Sequence, residues 1–190
     1  MSNIFVEGKN YKGENYAEQK LEKGEYENCI FTNCLFSKAD LSEIIFSECE
    51  FDNCDLSLAK LTGTAFRDVN FINCKLLGLH FDACNNFLLE LNFKNSTLNF
   101  SSFSNLKLKN IRFEDCKLIE VEFIETDLTN AVFKNCDLSR AVFEGAILEN
   151  SDWRTAFNFS INPENNRIKK AKFSAQNVVG LLDKYNITIE

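Results

Sequence analysis

Cysteine and histidine are the residues of this chain that most readily do chemistry, as nucleophiles, bases or zinc ligands. The sequence has eight cysteines but a single histidine, His80, so any cysteine–histidine or serine–histidine catalysis must centre on that residue. No phosphate-binding loop, dinucleotide fingerprint or paired-histidine metal motif occurs. Cysteine usually indicates a disulfide, a zinc site or a catalytic thiol, and its position in the fold decides between them.

Acidic side chains are the second group of residues that could carry the function of this protein. The 190 residues include 28 acidic and 21 basic residues, which gives a net charge of −7. This balance argues against a protein that binds the nucleic-acid backbone directly, because such proteins carry basic patches. No apolar stretch approaches the roughly 20 residues needed to cross a bilayer, and Met1–Gly8 lacks the apolar run of a signal peptide. We therefore expect a cytoplasmic protein with no membrane partner.

The elements that position these residues follow a period of five. Every fifth residue from Leu21 to Phe81 is large and apolar, and a second run, two residues out of phase, extends from Phe93 to Trp153. The residue two before each of these is usually small or apolar. A period of five fits neither an α-helix nor an ordinary β-strand. It predicts a chain that turns a corner every five residues, with two side chains of each side pointing inward.

Four segments of this pattern carry a resemblance to a known family. Lys38–Ser42, Asn53–Ser57, Asn135–Ser139 and Asn150–Arg154 resemble the A(D/N)LXX unit of the pentapeptide repeat family, and the resemblance covers about residues 21–157. It implies an all-β, right-handed quadrilateral β-helix with four five-residue sides per coil. We therefore expect an irregular N-terminal coil (1–20), a repeat region (21–157) with a two-residue bulge in 82–92, and a C-terminal segment (158–190).

In such a helix, residues twenty apart stack in ladders. The central inward residues of the first side are then all aromatic, and the ladder of the fourth side continues from Phe66 through Leu88 to Leu108. All eight cysteines take the small inward position, Cys84 by the register of the first run. Five-residue spacing places neighbouring cysteines on different sides, which disfavours zinc. Stacked thiols have parallel side chains, which disfavours disulfides. We predict inert core thiols, with oxidation-sensitive thiols as the alternative, and no metal or cofactor.

The C-terminal segment changes period. A loop around Pro163 is followed by one more side at Ile168 and Phe173, and Ser174 could cap a helix. The apolar residues of that helix recur at helical spacing, although Gly180 weakens it: Val178, Val179, Leu181, Leu182 and Tyr185. Ile187–Ile189 is predicted as a short strand. The segment resembles the C-terminal module of quinolone-resistance (Qnr-type) and microcin-immunity proteins, which implies a homodimer joined end to end, with capping of its own last coil as the alternative.

The outward positions of the third side form an acidic stripe. Its members are Asp40, Glu43, Asp82, Glu122, Glu125 and Glu144. Ile124 and Val142 interrupt this side and Ile147 lies on the next, so these three could anchor a protein contact. A solvated acidic face also keeps a β-rich protein soluble. The stripe approximates the charge and shape of duplex DNA, and the resemblance to Qnr-type proteins implies DNA gyrase or topoisomerase IV as partner, either inhibited or shielded from a quinolone or toxin.

Two other functions remain open on the sequence alone. One is an interaction scaffold for a different protein partner, because the fold does not determine the function. The other is an enzyme, which would need a pocket near His80 or the bulge. A non-enzymatic protein is favoured because a smooth four-sided prism offers few pockets that perturb an acid or base. The chain also lacks the two longer loops of Qnr-type resistance proteins, which disfavours drug protection more than it disfavours topoisomerase binding.

Overall fold

Parallel strands pair at intervals of about twenty residues along this chain. In the computed structural model, which describes residues 4–188, short strands form two parallel sheets. One sheet has four strands, in the order β1 (Ile4–Glu7), β3 (Gly24–Glu27), β5 (Ile45–Ser47) and β7 (Ala65–Arg67). The other has seven strands, which from the N-terminal end are β2 (Asn10–Lys12), β4 (Ile30–Thr32), β6 (Glu50–Asp52), β8 (Val69–Ile72), β9 (Leu91–Lys94), β10 (Arg112–Glu114) and β11 (Val132–Lys134).

The two remaining sides are held by single bridges between coils, such as Leu35 with Asp55 and Asp40 with Lys60. Corners of the coils contain residues with positive φ, most often asparagine, because its short polar side chain tolerates the left-handed conformation. The apolar exceptions in the described chain are Leu58, Leu88 and Phe100. The predicted β-helix is confirmed.

Aromatic rings fill the centre of the coils. On the first side Tyr11 stacks on Phe31 with ring centres 4.7 Å apart, and the ladder continues to Phe133 and Trp153, 4.1 Å apart, and then to Phe173, 6.2 Å from Trp153. Rings of the third side, such as Phe103, meet this ladder edge to face. Such ring pairs add roughly 0.5–1.5 kcal/mol each beyond their burial. The ladders therefore hold neighbouring coils in register.

One coil is two residues longer than the others. Ala65 pairs with Asn85, twenty residues on, whereas Val69 pairs with Leu91, twenty-two residues on. The expectation that Leu88 continues the fourth-side ladder is wrong, because Leu88 is 63% exposed. Its positive φ places it at a corner that directs the side chain outward, and Leu89 packs against the core instead.

The cysteines behave as small core residues. Seven are buried and Cys84 is half-buried, and all are free thiols. Several donate to a carbonyl of the preceding coil, as Cys54 Sγ does to Phe31 O at 3.2 Å. Burial raises the pKa of Cys49 to about 12. Thr64 takes the same inward position and donates to Leu41 O at 2.8 Å, whereas Ala39 and Ala59 occupy it without a donor, so the position selects for small size.

The predicted C-terminal α-helix is wrong. Ser174 and Asn177 do form a reciprocal cap, but the chain continues as two 3₁₀ helices, Val178–Leu181 and Asp183–Tyr185. The reason lies at Gly180, which is buried against Phe159. A Cβ there would approach Phe159 O to 2.3 Å, and Gly180 O accepts a hydrogen bond from Ile161 N. Close docking on the last coil therefore replaces a regular helix.

The predicted terminal strand is also absent from the described residues. Ile187 and Thr188 belong to no strand, and Ile189 lies outside the described part of the chain. Asn186 ends the second of these 3₁₀ helices in a left-handed conformation, and Ile187 after it is 57% exposed.

Candidate protein-interaction surface

The N-terminal part of the acidic stripe is largely neutralised. Glu43 Oε2 lies 2.7 Å from Lys23 Nζ, and this pairing lowers the pKa of Glu43. Asp40 accepts a hydrogen bond from the backbone N of Ser42 at 3.0 Å and lies 3.9 Å from Lys60 Nζ. Asp40 thus stabilises a turn. The sequence reasoning missed Lys23, which the twenty-residue period places one coil before Glu43 on the same side.

The middle of the third side offers little charge. Asp82 Oδ1 lies 3.3 Å from Nδ1 of His80, whose side chain is 72% exposed. The next coil has uncharged residues at the corresponding positions, the buried Ser102 followed by Ser104 and Asn105. The six predicted acids therefore do not form a continuous stripe.

The C-terminal part of the third side is different. Glu122, Glu125 and Glu144 are exposed, and within residues 4–188 none of them forms an ion pair. Glu122 bridges to Val142 of the next coil, and Glu125 N donates to Glu144 O at 2.7 Å. Unpaired carboxylates on adjacent coils attract cationic groups.

Apolar side chains lie among these carboxylates. Val142 is 41% exposed and Ile124 is half-buried, so both contribute surface beside Glu122, Glu125 and Glu144. We call these five residues the Glu122 cluster. Its composition matches a protein contact, because large apolar side chains bury area while carboxylates select a basic partner.

Ile147 belongs to another surface. It lies on the fourth side, half-buried, bridged to Asp127 and Arg167 of the adjacent coils. Both neighbours are ion-paired, Asp127 with Lys109 at 3.4 Å and Arg167 with Glu149 at 2.8 Å. Ile147 is therefore surrounded by mutually neutralised charge.

The C-terminal end presents a separate apolar surface. Val178, Val179 and Tyr185 are 39%, 40% and 52% exposed. Leu181 and Leu182, by contrast, are half-buried, and Leu181 packs against the core. A groove of about 690 Å³ runs between this segment and the last coil, with Val179 and Phe157 in its wall.

A second groove lies beside the bulge, the place where an enzyme would need a pocket. It measures about 450 Å³, and its charged lining consists of Glu27, Glu48, Arg67, Asp68 and Glu90. Cysteine and histidine are missing from the described residues that line it. Across residues 4–188, no cluster of three or more potential metal ligands is present. The same residues include no helix with the length and hydropathy to span a bilayer.

Comparisons with known proteins agree with this architecture. A family profile described as "Pentapeptide repeat region" matches residues 20–86 and 64–143, and one described as "Pentapeptide repeats (8 copies)" matches 136–156. A search of curated proteins found no significant match.

Two solved structures illustrate the similarity. One is a trypsin-treated form of QnrB1, a plasmid-mediated fluoroquinolone resistance protein. It superposes on this chain with a TM-score of 0.63 and 18% sequence identity, and the match covers 99% of this chain and 98% of QnrB1. HetL, a pentapeptide repeat protein involved in heterocyst differentiation regulation from Nostoc sp. strain PCC 7120, gives a TM-score of 0.44 at 17% identity, covering 90% and 88%. At this identity the match to QnrB1 establishes a common fold.

Proposed function

This chain belongs to the pentapeptide repeat family, and from that premise we propose that it is a non-enzymatic interaction protein whose Glu122 cluster binds the DNA-binding groove of DNA gyrase or topoisomerase IV. The observation that carries the proposal is the group of three exposed, unpaired carboxylates on adjacent coils, with Val142 between them. A groove that binds DNA is lined with basic residues, and such a group of carboxylates complements it.

In this proposal the protein mimics duplex DNA through its shape and the sign of its charge, and its charge density is lower than that of DNA. Duplex DNA carries a charge about every 1.7 Å of its axis. Neighbouring coils are about one strand spacing apart, roughly 4.8 Å, so the protein presents fewer charges over the same length. Because Asp40 and Glu43 are paired with lysines, we assign the contact to the C-terminal half of the third side.

The same proposal includes a homodimer joined through the C-terminal ends. The exposed apolar residues Val178, Val179 and Tyr185 support it, because an end-to-end contact would remove them from water. Leu181 and Leu182 already contact their own chain and contribute less to such an interface.

Binding and drug protection are separable outcomes. The bulge adds two residues to one coil and exposes Phe87 and Leu88, but it forms no long projecting loop. We therefore expect inhibition of the enzyme in preference to protection from a quinolone.

Purified gyrase provides the test. DNA supercoiling is measured with increasing amounts of the protein, with and without a quinolone, for wild type and for Glu122→Gln/Glu125→Gln/Glu144→Gln. The matched control is Glu7→Gln/Glu18→Gln/Glu48→Gln, which changes net charge equally at exposed positions elsewhere. We expect the first triple variant to lose the effect and the control to keep it. No effect of the wild type at micromolar concentration, or equal loss in both variants, would refute the proposal.

A second candidate is a scaffold for a different protein. The neutral coil at Ser102–Asn105 favours it, because a DNA mimic would gain from an uninterrupted stripe. A wild-type protein that leaves gyrase unaffected would support this scaffold function.

A further inference from the structure

The corner of the β-helix between the second and third sides carries exposed apolar residues in an unfavourable backbone conformation. Leu58 and Phe100 have φ of 59° and 64° and are 57% and 58% exposed. The left-handed conformation costs about 1–2 kcal/mol in a residue with a Cβ, and asparagine tolerates it best. The equivalent corners of most coils carry polar residues, so neither backbone nor solvent favours leucine or phenylalanine here.

These two residues belong to one continuous surface. Leu58 N donates to Leu77 O at 2.9 Å, Gly78 N to Asn99 O at 2.9 Å, and Phe100 N to Ile119 O at 3.0 Å. The corner and the adjoining edge of the second side therefore stack over four coils. We call Leu58, Leu77, Gly78, Phe100 and Ile119 the Leu58–Phe100 patch.

Gly78 gives this patch its shape. It occupies the corner position between Leu58 and Phe100, with a φ of +62°. A Cβ at Gly78 would lie 2.9 Å from Leu58 Cδ2, so the leucine side chain lies over the glycine. Because Gly78 has no side chain, Leu58 lies across this corner on the side of Phe100, and the two large residues form an apolar surface on which a group of a partner could pack.

Lysines without an ion pair lie near the patch, among carboxylates that have hydrogen-bond or ion-pair partners. Lys38, Lys75 and Lys117 are exposed on the same side, and in the described part of the chain they form no ion pair. Lys75 and Lys117 are two coils apart in one bridged column, Asp55–Lys75–Thr97–Lys117–Asp137, so each lysine has an aspartate in the adjacent coil.

The carboxylates of this side are already engaged. Asp55 Oδ1 accepts from Ser57 N at 3.0 Å, Asp137 Oδ1 accepts from Ser139 N at 3.1 Å, and Glu120 pairs with Arg140. The cations that remain unpaired on this side are thus the three lysines, on a protein whose net charge is −7.

We propose that the Leu58–Phe100 patch is a docking surface for a protein segment that combines carboxylates with large apolar side chains. The apolar groups of the segment pack on Leu58 and Phe100 across Gly78, and its carboxylates approach Lys75 and Lys117. The contact uses a different corner from the Glu122 cluster and does not depend on the topoisomerase proposal.

The test uses a display library of random 12-residue peptides. Selection on immobilised wild-type protein, followed by removal of peptides that also bind Leu58→Asn/Phe100→Asn, is expected to enrich aspartate or glutamate together with leucine, phenylalanine or tryptophan. Enrichment of basic or purely polar peptides, or no enrichment, would overturn the proposal.

Variants then locate the binding of the enriched peptide. Leu58→Asn/Phe100→Asn places the residue best suited to the backbone at both corners, so it is expected to melt no lower than wild type while its affinity falls by about tenfold or more. Lys75→Glu/Lys117→Glu is expected to weaken binding similarly. Leu88→Asn, the same change at the third apolar corner, is the matched control and is expected to leave the affinity unchanged. Equal affinity of all variants in fluorescence anisotropy would place the peptide elsewhere.

Discussion

Individual side chains of the repeat have separate structural tasks, and these tasks decide which charges are free to bind a partner. The aspartate that precedes the inward leucine accepts a backbone hydrogen bond two residues on, as Asp127 does from Thr129 N at 3.1 Å and Asp137 from Ser139 N at 3.1 Å. The main role of such an aspartate is to stabilise the turn. Glutamates at the corners have no such task, so their availability depends on the neighbouring coil: Lys23 pairs with Glu43, whereas Glu125 has no ion-pair partner in the described residues.

Asp137 predicts a dependence of stability on pH. Burial acts to raise its pKa, but hydrogen bonds from Ser139 and Asn158 outweigh that effect and the pKa is lowered. A lowered pKa in the folded state adds stability above the unfolded value of about 3.9, and this stability is lost as pH falls through the folded value. We expect thermal unfolding midpoints to fall below about pH 4, and less steeply for Asp137→Asn, which keeps the turn but cannot titrate.

The control for this experiment is Asp68→Asn, at an exposed corner. It is expected to retain the wild-type slope between pH 6 and 2.5. Parallel curves for wild type and Asp137→Asn would contradict the assignment.

The thiols give a second prediction at this scale. Cys54 is buried, its pKa is raised by the contact with Cys74 and by burial, and its Sγ donates to Phe31 O. Because the thiolate is the reactive form and burial shields the sulfur from a reagent, we expect Cys54 and the other buried cysteines to react with a thiol reagent at neutral pH only after unfolding, although the contact with Cys136 lowers the pKa of Cys116. Rapid modification of several thiols in the native protein, counted by mass spectrometry, would favour the oxidation-sensitive alternative.

At the scale of the elements, the regular coils follow from the sequence and the C-terminal cap does not. A residue such as Phe113 is specified by its position in the period, since every inward position repeats the same environment. The cap meets the solenoid once, so no repetition reveals its geometry. Val178, Leu181 and Leu182 do recur at helical spacing, but the contact of Gly180 with Phe159 determines the conformation. The candidate site is predictable to a similar extent: the period locates Glu122 on a side and Lys23 one coil before Glu43, but whether the two side chains form an ion pair depends on their conformations.

Gly180 tests the docking of the cap. Gly180→Ala adds a methyl group toward Phe159 O and the Phe159 ring, so we expect a loss of about 1–3 kcal/mol in unfolding free energy, typical of overpacking. Gly8→Ala is the control for an added methyl group, since nothing lies within 4 Å of a Cβ there, although its φ of +62° adds some strain. Chemical denaturation of both variants gives the comparison. A loss below about 1 kcal/mol for Gly180→Ala would show that the cap is not tightly docked.

For the whole molecule, the arrangement of the cap bears on the assembly state. Val178 and Val179 face solvent while Leu181 packs inward, so their replacement should affect an interface without disturbing the last coil. We expect Val178→Asp/Val179→Asp to halve the solution mass measured by light scattering. The exposed valines would have no role in assembly if the wild type were already a monomer or if the variant kept its mass.

The constant spacing of the coils also makes the β-helix a ruler. Each coil contains about twenty residues and adds about one strand spacing, roughly 4.8 Å, to the length of the β-helix. The separation of two equivalent surface positions along the helix axis is therefore a whole number of coils. The Leu58–Phe100 patch and the Glu122 cluster are set apart in this way, on fixed sides and at fixed heights. Duplication or loss of a complete coil during evolution would change that height in a single step while leaving the direction of every side chain unchanged.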